Sequence, residues 1–200
     1  MTEGYRGPKF TTVWLERQVP EFPSFSELKH WCHQLAVHDL APAKGSAYAG
    51  NASVRTGGGM VITAARTNLG RITPEELVEV LAVDTEKSEV IARGLREPSS
   101  ESFLHYAIYQ QRSDIHAILH GHDKVILSLS DRLSILTTVA EQPYGTLDLV
   151  EEVFRVMGNE SYLLMKNHGF LSLGIDLEEA GREALRYHCK AVNLIQRPFN

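Results

Sequence analysis

The chain has 200 residues, 43% hydrophobic and 22% charged, enough apolar mass for one domain with a real core and too much for a disordered tail. Twenty Lys and Arg against 25 Asp and Glu give a net charge of −5, so no global positive field exists to hold nucleic acid or an anionic membrane. No apolar run approaches the roughly 20 residues of a membrane-spanning helix. No basic-then-apolar leader opens the chain, and Cys32 and Cys189 form no paired motif, so a soluble protein in a reducing cytoplasmic compartment is expected.

Residues 1–23 read as an N-terminal arm, with Gly4, Gly7, Pro8, Pro20 and Pro23 around a stretch, 10–15, that suits an extended arm or an edge strand. Ser24 and Glu27 form a capping box for a first helix, in which Leu28, Trp31, Cys32 and Leu35 recur at helical spacing as far as about His38. The glycines from Gly45 to Gly50 break the chain. Residues 51–55 and 60–63 then flank Gly57–Gly59 as a hairpin. Thr73, Pro74 and Glu76 predict a short helix through Leu77, Val80 and Leu81, and Val83 and Val90-Ile91 two short strands.

Ser99 or Ser100 caps a helix from Glu101 to about Gln111, whose apolar face is Phe103, Leu104, Ala107 and Ile108. A strand at 115–119 and a helix at about 123–129 follow. Thr146 caps a helix ending at Gly158, 162–165 and 170–173 are buried strands, and Asp176 and Glu179 cap a long final helix to about Ile195. Helices alternate with hairpin-like strands rather than in strict βαβ units. The expected fold is therefore an α/β sandwich with a mixed, largely antiparallel sheet, a single domain over 24–200.

Nine histidines raise the question of a metal. His30 and His33 suit an exposed helix face, and His38, His105, His116 and His188 need no special role. His120-Gly121-His122 differs, because i/i+2 spacing on an extended backbone turns both imidazoles to one side, with glycine leaving the other side open. Two converging neutral imidazoles suit a divalent transition metal. His168, in the polar turn Lys166-Asn167-His168-Gly169, is a third candidate, and three histidines with an open position describe a catalytic zinc site. Glu101, taken alone, reads as an acid complementing a helix N-terminus.

In order, Gly50-Asn51-Ala52-Ser53-Val54-Arg55, Val61-Ile62-Thr63, Pro98-Ser99-Ser100-Glu101 with His105, His120-Gly121-His122 and Asn167-His168-Gly169 resemble the class II aldolase/adducin family, especially its L-fuculose-phosphate aldolases. The resemblance spans about residues 24–195. It implies a three-layer α/β/α sandwich and zinc held by His120, His122 and His168, with manganese, cobalt or iron as alternatives. It also implies Glu101 as acid/base, a small-molecule substrate and a homotetramer. The implied activity is metal-dependent carbon–carbon cleavage of a small, phosphorylated hydroxy-carbonyl compound through a metal-stabilised enediolate. Dehydratase, epimerase or decarboxylase chemistry, or an adducin-head-like scaffold, are the alternatives within the family.

The resemblance further implies that Gly50, Asn51, Ser99 and Ser100 hold the substrate's anion. Where these aldolases carry Thr-Gly after the Ile-Thr strand, this chain has Ala65-Arg66, which removes a hydroxyl and adds a bidentate fork. Arg66 then either grips a phosphate or carboxylate or sits exposed on a loop. The stretch between His122 and His168 is shorter than in fuculose-phosphate aldolases, Tyr144 has no assigned role, and the chain ends soon after the final helix.

Overall fold

The period of two in the apolar strands decides the architecture. Residues 7–45 and 47–196 are described in the structure, a computed structural model. The strands are β1 (Thr11–Glu16), the short pair β2 (Ala43–Lys44) and β3 (Ala47–Tyr48), β4 (Asn51–Thr56), β5 (Gly59–Thr63), β6 (Leu77–Asp84), β7 (Glu89–Gly94), β8 (Ala117–Gly121), β9 (Tyr162–Met165) and β10 (Gly169–Gly174). The helices are α1 (Phe25–Val37), α2 (Ser102–Gln111), α3 (Lys124–Ser128), α4 (Ser130–Leu133), α5 (Leu147–Met157) and α6 (Leu177–Gln196). Eight strands form one sheet in the order β1-β7-β6-β5-β4-β8-β10-β9, antiparallel throughout except for the β1–β7 pair.

Along β8, Ala117 and Leu119 join the core under α1, α3 and α6, while Ile118 joins the core under α2 and α5. The same alternation separates Phe170 from Leu171 on β10 and Val61 from Ile62 on β5. Both faces of the sheet are thus covered, giving the three-layer α/β/α sandwich. His120 shares the parity of Ile118, so it points to the α2 face at the end of a central strand, where a side chain can be both buried and reachable.

The edge strand is the form that residues 11–16 take, paired beside β7. Leu77–Asp84 departs from the expected helix. Pro74–Glu76 makes a single 3-10 turn, with the Glu76 carboxylate accepting from the Thr73 N–H at 3.1 Å. Leu77, Val78 and Val80 then run as a strand between β5 and β7. Spacing of 77, 80 and 81 is helical, but Val78 and Val80 also alternate into one core opposite Leu77, and the Val-rich run with partners on both sides settles on the sheet. Ser24 occupies the N-cap of α1 without a side-chain bond, so the anticipated capping box does not form there. At α5 and α6 the expected caps are made: Thr146 accepts from the Leu149 N–H, and Asp176 from that of Glu179.

Candidate active site

Three loops and one helix start meet at the carboxyl end of β8. His120 is the last residue but one of that strand, His122 follows it, and His168 is in the turn between β9 and β10, which pairs alongside. His122 is anchored by its backbone N–H, which donates to the Leu40 carbonyl at 2.7 Å. Asp123 then pins α3, one carboxylate oxygen accepting from the N–H groups of Val125 and Ile126 while the other meets His188 Nδ1 at 2.7 Å. Sequence reasoning gave His188 no role; it steadies the exit from the HxH motif.

Gly121 serves differently from the expectation of an unobstructed side. A Cβ there would lie 2.5 Å from the Phe170 ring and 2.7 Å from the Leu40 carbonyl, so glycine is required because that side is filled. Gly50 has φ +83°, and a Cβ would come within 2.8 Å of the His120 carbonyl. These two motif glycines let neighbouring backbone close on the strand that carries the histidines.

The imidazoles converge. His120 Nε2 and His122 Nε2 are 3.1 Å apart, and one ligand atom from each of His120, His122 and His168 falls within 4.8 Å of the others. Two nitrogens each about 2.05 Å from a tetrahedral zinc would be about 3.3 Å apart, close to the His120–His122 spacing. The Phe170 carbonyl accepts from His120 Nδ1 at 2.8 Å, which fixes the tautomer and leaves the Nε2 lone pair facing the other histidines. Burial holds His120 neutral by pushing its pKa down to about 4. Of the three, His120 is buried and the other two partly exposed.

Glu101, at the N-cap of α2, is 4% exposed and has one carboxylate oxygen 3.8 Å from His168 Nε2. That distance is too long for a hydrogen bond, and its other oxygen, Oε2, has no hydrogen-bond partner. Burial pushes the carboxyl up to about 7, against the opposing charge of Lys9. Ser99 does part of the expected capping: its Oγ accepts from the Glu101 N–H at 3.3 Å and its carbonyl from the Ser102 N–H at 3.0 Å.

A cavity of about 760 Å³ opens over this floor. Gly50, Asn51, Ser99, Ser100 and Arg66 line it together with Glu101 and the three histidines. Asn51 lines the cavity as a residue, while its Oδ1 is buried without a hydrogen-bond partner. Arg66 is exposed, at φ +64°, a left-handed conformation that costs an arginine about 1 kcal/mol. Its loop is tied to the α2 start by hydrogen bonds from Ala65 N–H to the Glu97 carbonyl and from Ser99 N–H to the Thr63 carbonyl.

The remaining polar members of the first motif are structural. Ser53 Oγ lies 2.8 Å from both His105 Nδ1 and Tyr109 Oη, and Arg55 donates to the carbonyls of Ile115, Tyr109 and Arg112. Together they bind the C-terminal half of α2 to β4. Residues that sequence reasoning did not place at the cavity are Tyr48, Lys124, Glu141 and Tyr144, all contributed by loops or short elements without a motif.

The family model for the Class II Aldolase and Adducin N-terminal domain matches residues 27–189. An L-fuculose phosphate aldolase of Methanococcus maripaludis is 32% identical over 145 residues, covering 66% of this chain and 76% of that protein. A 5-methylthioribulose-1-phosphate/5-deoxyribulose-1-phosphate aldolase of Rhodospirillum rubrum is 28% identical over 159 residues, 72% of this chain and 68% of that protein. Among solved structures, an L-fuculose 1-phosphate aldolase superposes with a TM-score of 0.69 at 26% identity, covering 89% of this chain and 88% of the other. With its sandwich fold and ordered motifs, the chain belongs to the class II aldolase/adducin family and is similar to the L-fuculose-phosphate aldolases within it.

Proposed function

We propose that the chain is a metal-dependent lyase that cleaves or forms a carbon–carbon bond in a small hydroxy-carbonyl compound, its anionic end a phosphate. The observation that supports this most directly is the cluster of three histidines with a buried carboxyl 3.8 Å from one of them, at the base of one cavity. His120, His122 and His168 would hold the ion, zinc in the first place, with manganese, cobalt or iron able to use the same nitrogen set. When bound, the ion supplies Lewis acidity toward a carbonyl and neighbouring hydroxyl oxygen.

The chain's own groups do the rest. Glu101 holds or moves the proton on the carbon beside the carbonyl, from a position 3.8 Å from His168 at the base of the cavity. Asn51, in the cavity wall, offers its side-chain amide to the substrate's anion. Gly50, Ser99, Ser100 and the start of α2 supply donors for the anion, since helix N-termini favour negative charge. Arg66 adds a fork that also suits a carboxylate, which favours a carboxylated substrate as the second reading.

The retained histidine set speaks against a scaffold role. On the family likeness we also read residues 24–200 as the catalytic domain, the assembly as a homotetramer and the compartment as cytoplasmic. The testing experiment incubates zinc-supplemented protein with dihydroxyacetone phosphate in D2O and follows loss of the carbon-bound proton by NMR. Exchange by the wild type that Glu101→Gln and chelation both abolish is expected; exchange that survives either treatment overturns the mechanism.

A further inference from the structure

The three histidines are held by different means. His120 is fixed by its strand and by the Phe170 carbonyl, and His122 by its backbone bond to Leu40. His168 stands instead at the end of a tight turn, closed by its own N–H on the Met165 carbonyl at 3.0 Å, with Asn167 at φ +56°, a left-handed position that asparagine tolerates. Its ring centroid is nonetheless placed 5.0 Å from that of His120 and 5.1 Å from that of His122. The support comes from residues 137–141, a stretch without a motif.

Thr137 bridges Leu164 in parallel, and the Thr138 N–H donates to the Leu164 carbonyl at 2.9 Å. Thr138 is 2% exposed, and its Oγ1 accepts from the Lys166 N–H at 2.9 Å. The Val139 carbonyl accepts from Lys166 Nζ at 2.9 Å, and Glu141 Oε2 accepts from Asn167 Nδ2 at 2.7 Å. Both central residues of the turn, Lys166 and Asn167, are thus gripped by one segment. Between these contacts the Ala140 N–H donates to the buried Glu152 carboxylate of α5 at 2.8 Å, so the grip is anchored on a helix rather than on another loop. The same chain continues to Gly145, at φ +66°, where a Cβ would sit 2.7 Å from the carbonyl of Ser100, the residue before Glu101.

We infer that Thr138 and Glu141 are positioning residues for His168: they hold its turn in register with the fold and so set where its imidazole stands against the other two histidines and Glu101. This role presupposes the reading of the three histidines as one metal site. Ligand distances at such a site tolerate only about 0.2 Å, and the groups that orient a ligand typically contribute about tenfold to a hundredfold in metal affinity.

Zinc affinity of the full chain is measured by competition with a chromophoric chelator for wild type, Thr138→Val, Thr138→Ser, Glu141→Ala and Glu141→Gln, alone and on a His168→Ala background. Thr138→Val is expected to weaken zinc about tenfold or more and Glu141→Ala by less, with Thr138→Ser and Glu141→Gln, which keep the acceptors, recovering most of the loss. Neither loss should remain once His168 is alanine. Unchanged zinc affinity, a loss that persists without His168, or a Glu141→Gln as weak as Glu141→Ala, which would reduce the effect to charge, overturns the inference. Glu141 is exposed, so its variants decide the matter should Thr138→Val fail to fold. A wild type that takes up no zinc removes the metal site, and the positioning role is then decided by hydrogen exchange of the His168 backbone amide, followed by NMR in metal-free protein. Faster exchange in Thr138→Val and Glu141→Ala sustains it, and equal exchange overturns it.

Discussion

Replacing Glu101 with glutamine should make the metal-free protein more stable, and increasingly so as the pH rises. In the unfolded chain this carboxyl ionises near pH 4.5, whereas burial in the fold pushes it up to about 7. Between those values the folded protein holds a proton that the unfolded chain has released, so raising the pH favours unfolding. At about 1.4 kcal/mol per pH unit, the carboxylate costs the fold about 3 kcal/mol above pH 7 and nothing below pH 4.5. Glutamine has the same shape and no charge to desolvate. Urea denaturation of wild type and Glu101→Gln, both with chelator, should give a stability difference that grows by about 3 kcal/mol from pH 4.5 to pH 8. Saturating zinc should shrink that growth, because a nearby cation favours the ionised carboxylate. A difference that stays constant with pH would refute the claim that desolvation governs Glu101.

Other consequences follow from the same site. His105 is fully buried and kept neutral, its pKa pushed down to about 3 by burial and then by His120. The unfolded chain takes up this proton below about pH 6.5 while the fold does not, so acid should cost the metal-free protein about 3 kcal/mol through this residue between pH 6.5 and 4.5. Measured in the Glu101→Gln background, that slope should be lower by this amount in His105→Asn; an unchanged slope would contradict it. Ser53→Ala strips a partner from both His105 and Tyr109 and should cost about 2 kcal/mol in urea denaturation, whereas a loss under about 0.5 kcal/mol would mean the pair finds other partners. Arg66→Gly removes left-handed strain and should raise stability by about 0.5–1 kcal/mol while weakening phosphate binding in calorimetry; destabilisation would show that the arginine supports the fold instead.

What could be seen in the sequence was whatever depends on local chemistry. Thr146 and Asp176 were legible as caps because a short polar side chain before an apolar periodic run has few other uses. The HxH pair was legible because strand geometry alone turns His120 and His122 to one side. Leu77–Asp84 was misread because a capped proline turn precedes a run whose spacing fits both periods, and the two flanking strands that decide the matter are distant in sequence. The need for glycine at 121 depends on Phe170, nearly fifty residues away, so its reason was out of reach although its presence was plain.

The central claim is that His120, His122 and His168 hold one metal ion beside Glu101. Elemental analysis of untagged protein, with His168→Ala and His122→Ala purified alongside, tests it most directly. The account predicts about one divalent transition metal per chain in the wild type and marked loss in each variant whose fold is intact by circular dichroism. A folded wild type that takes up no metal on supplementation, or variants that retain it in full, would contradict the claim.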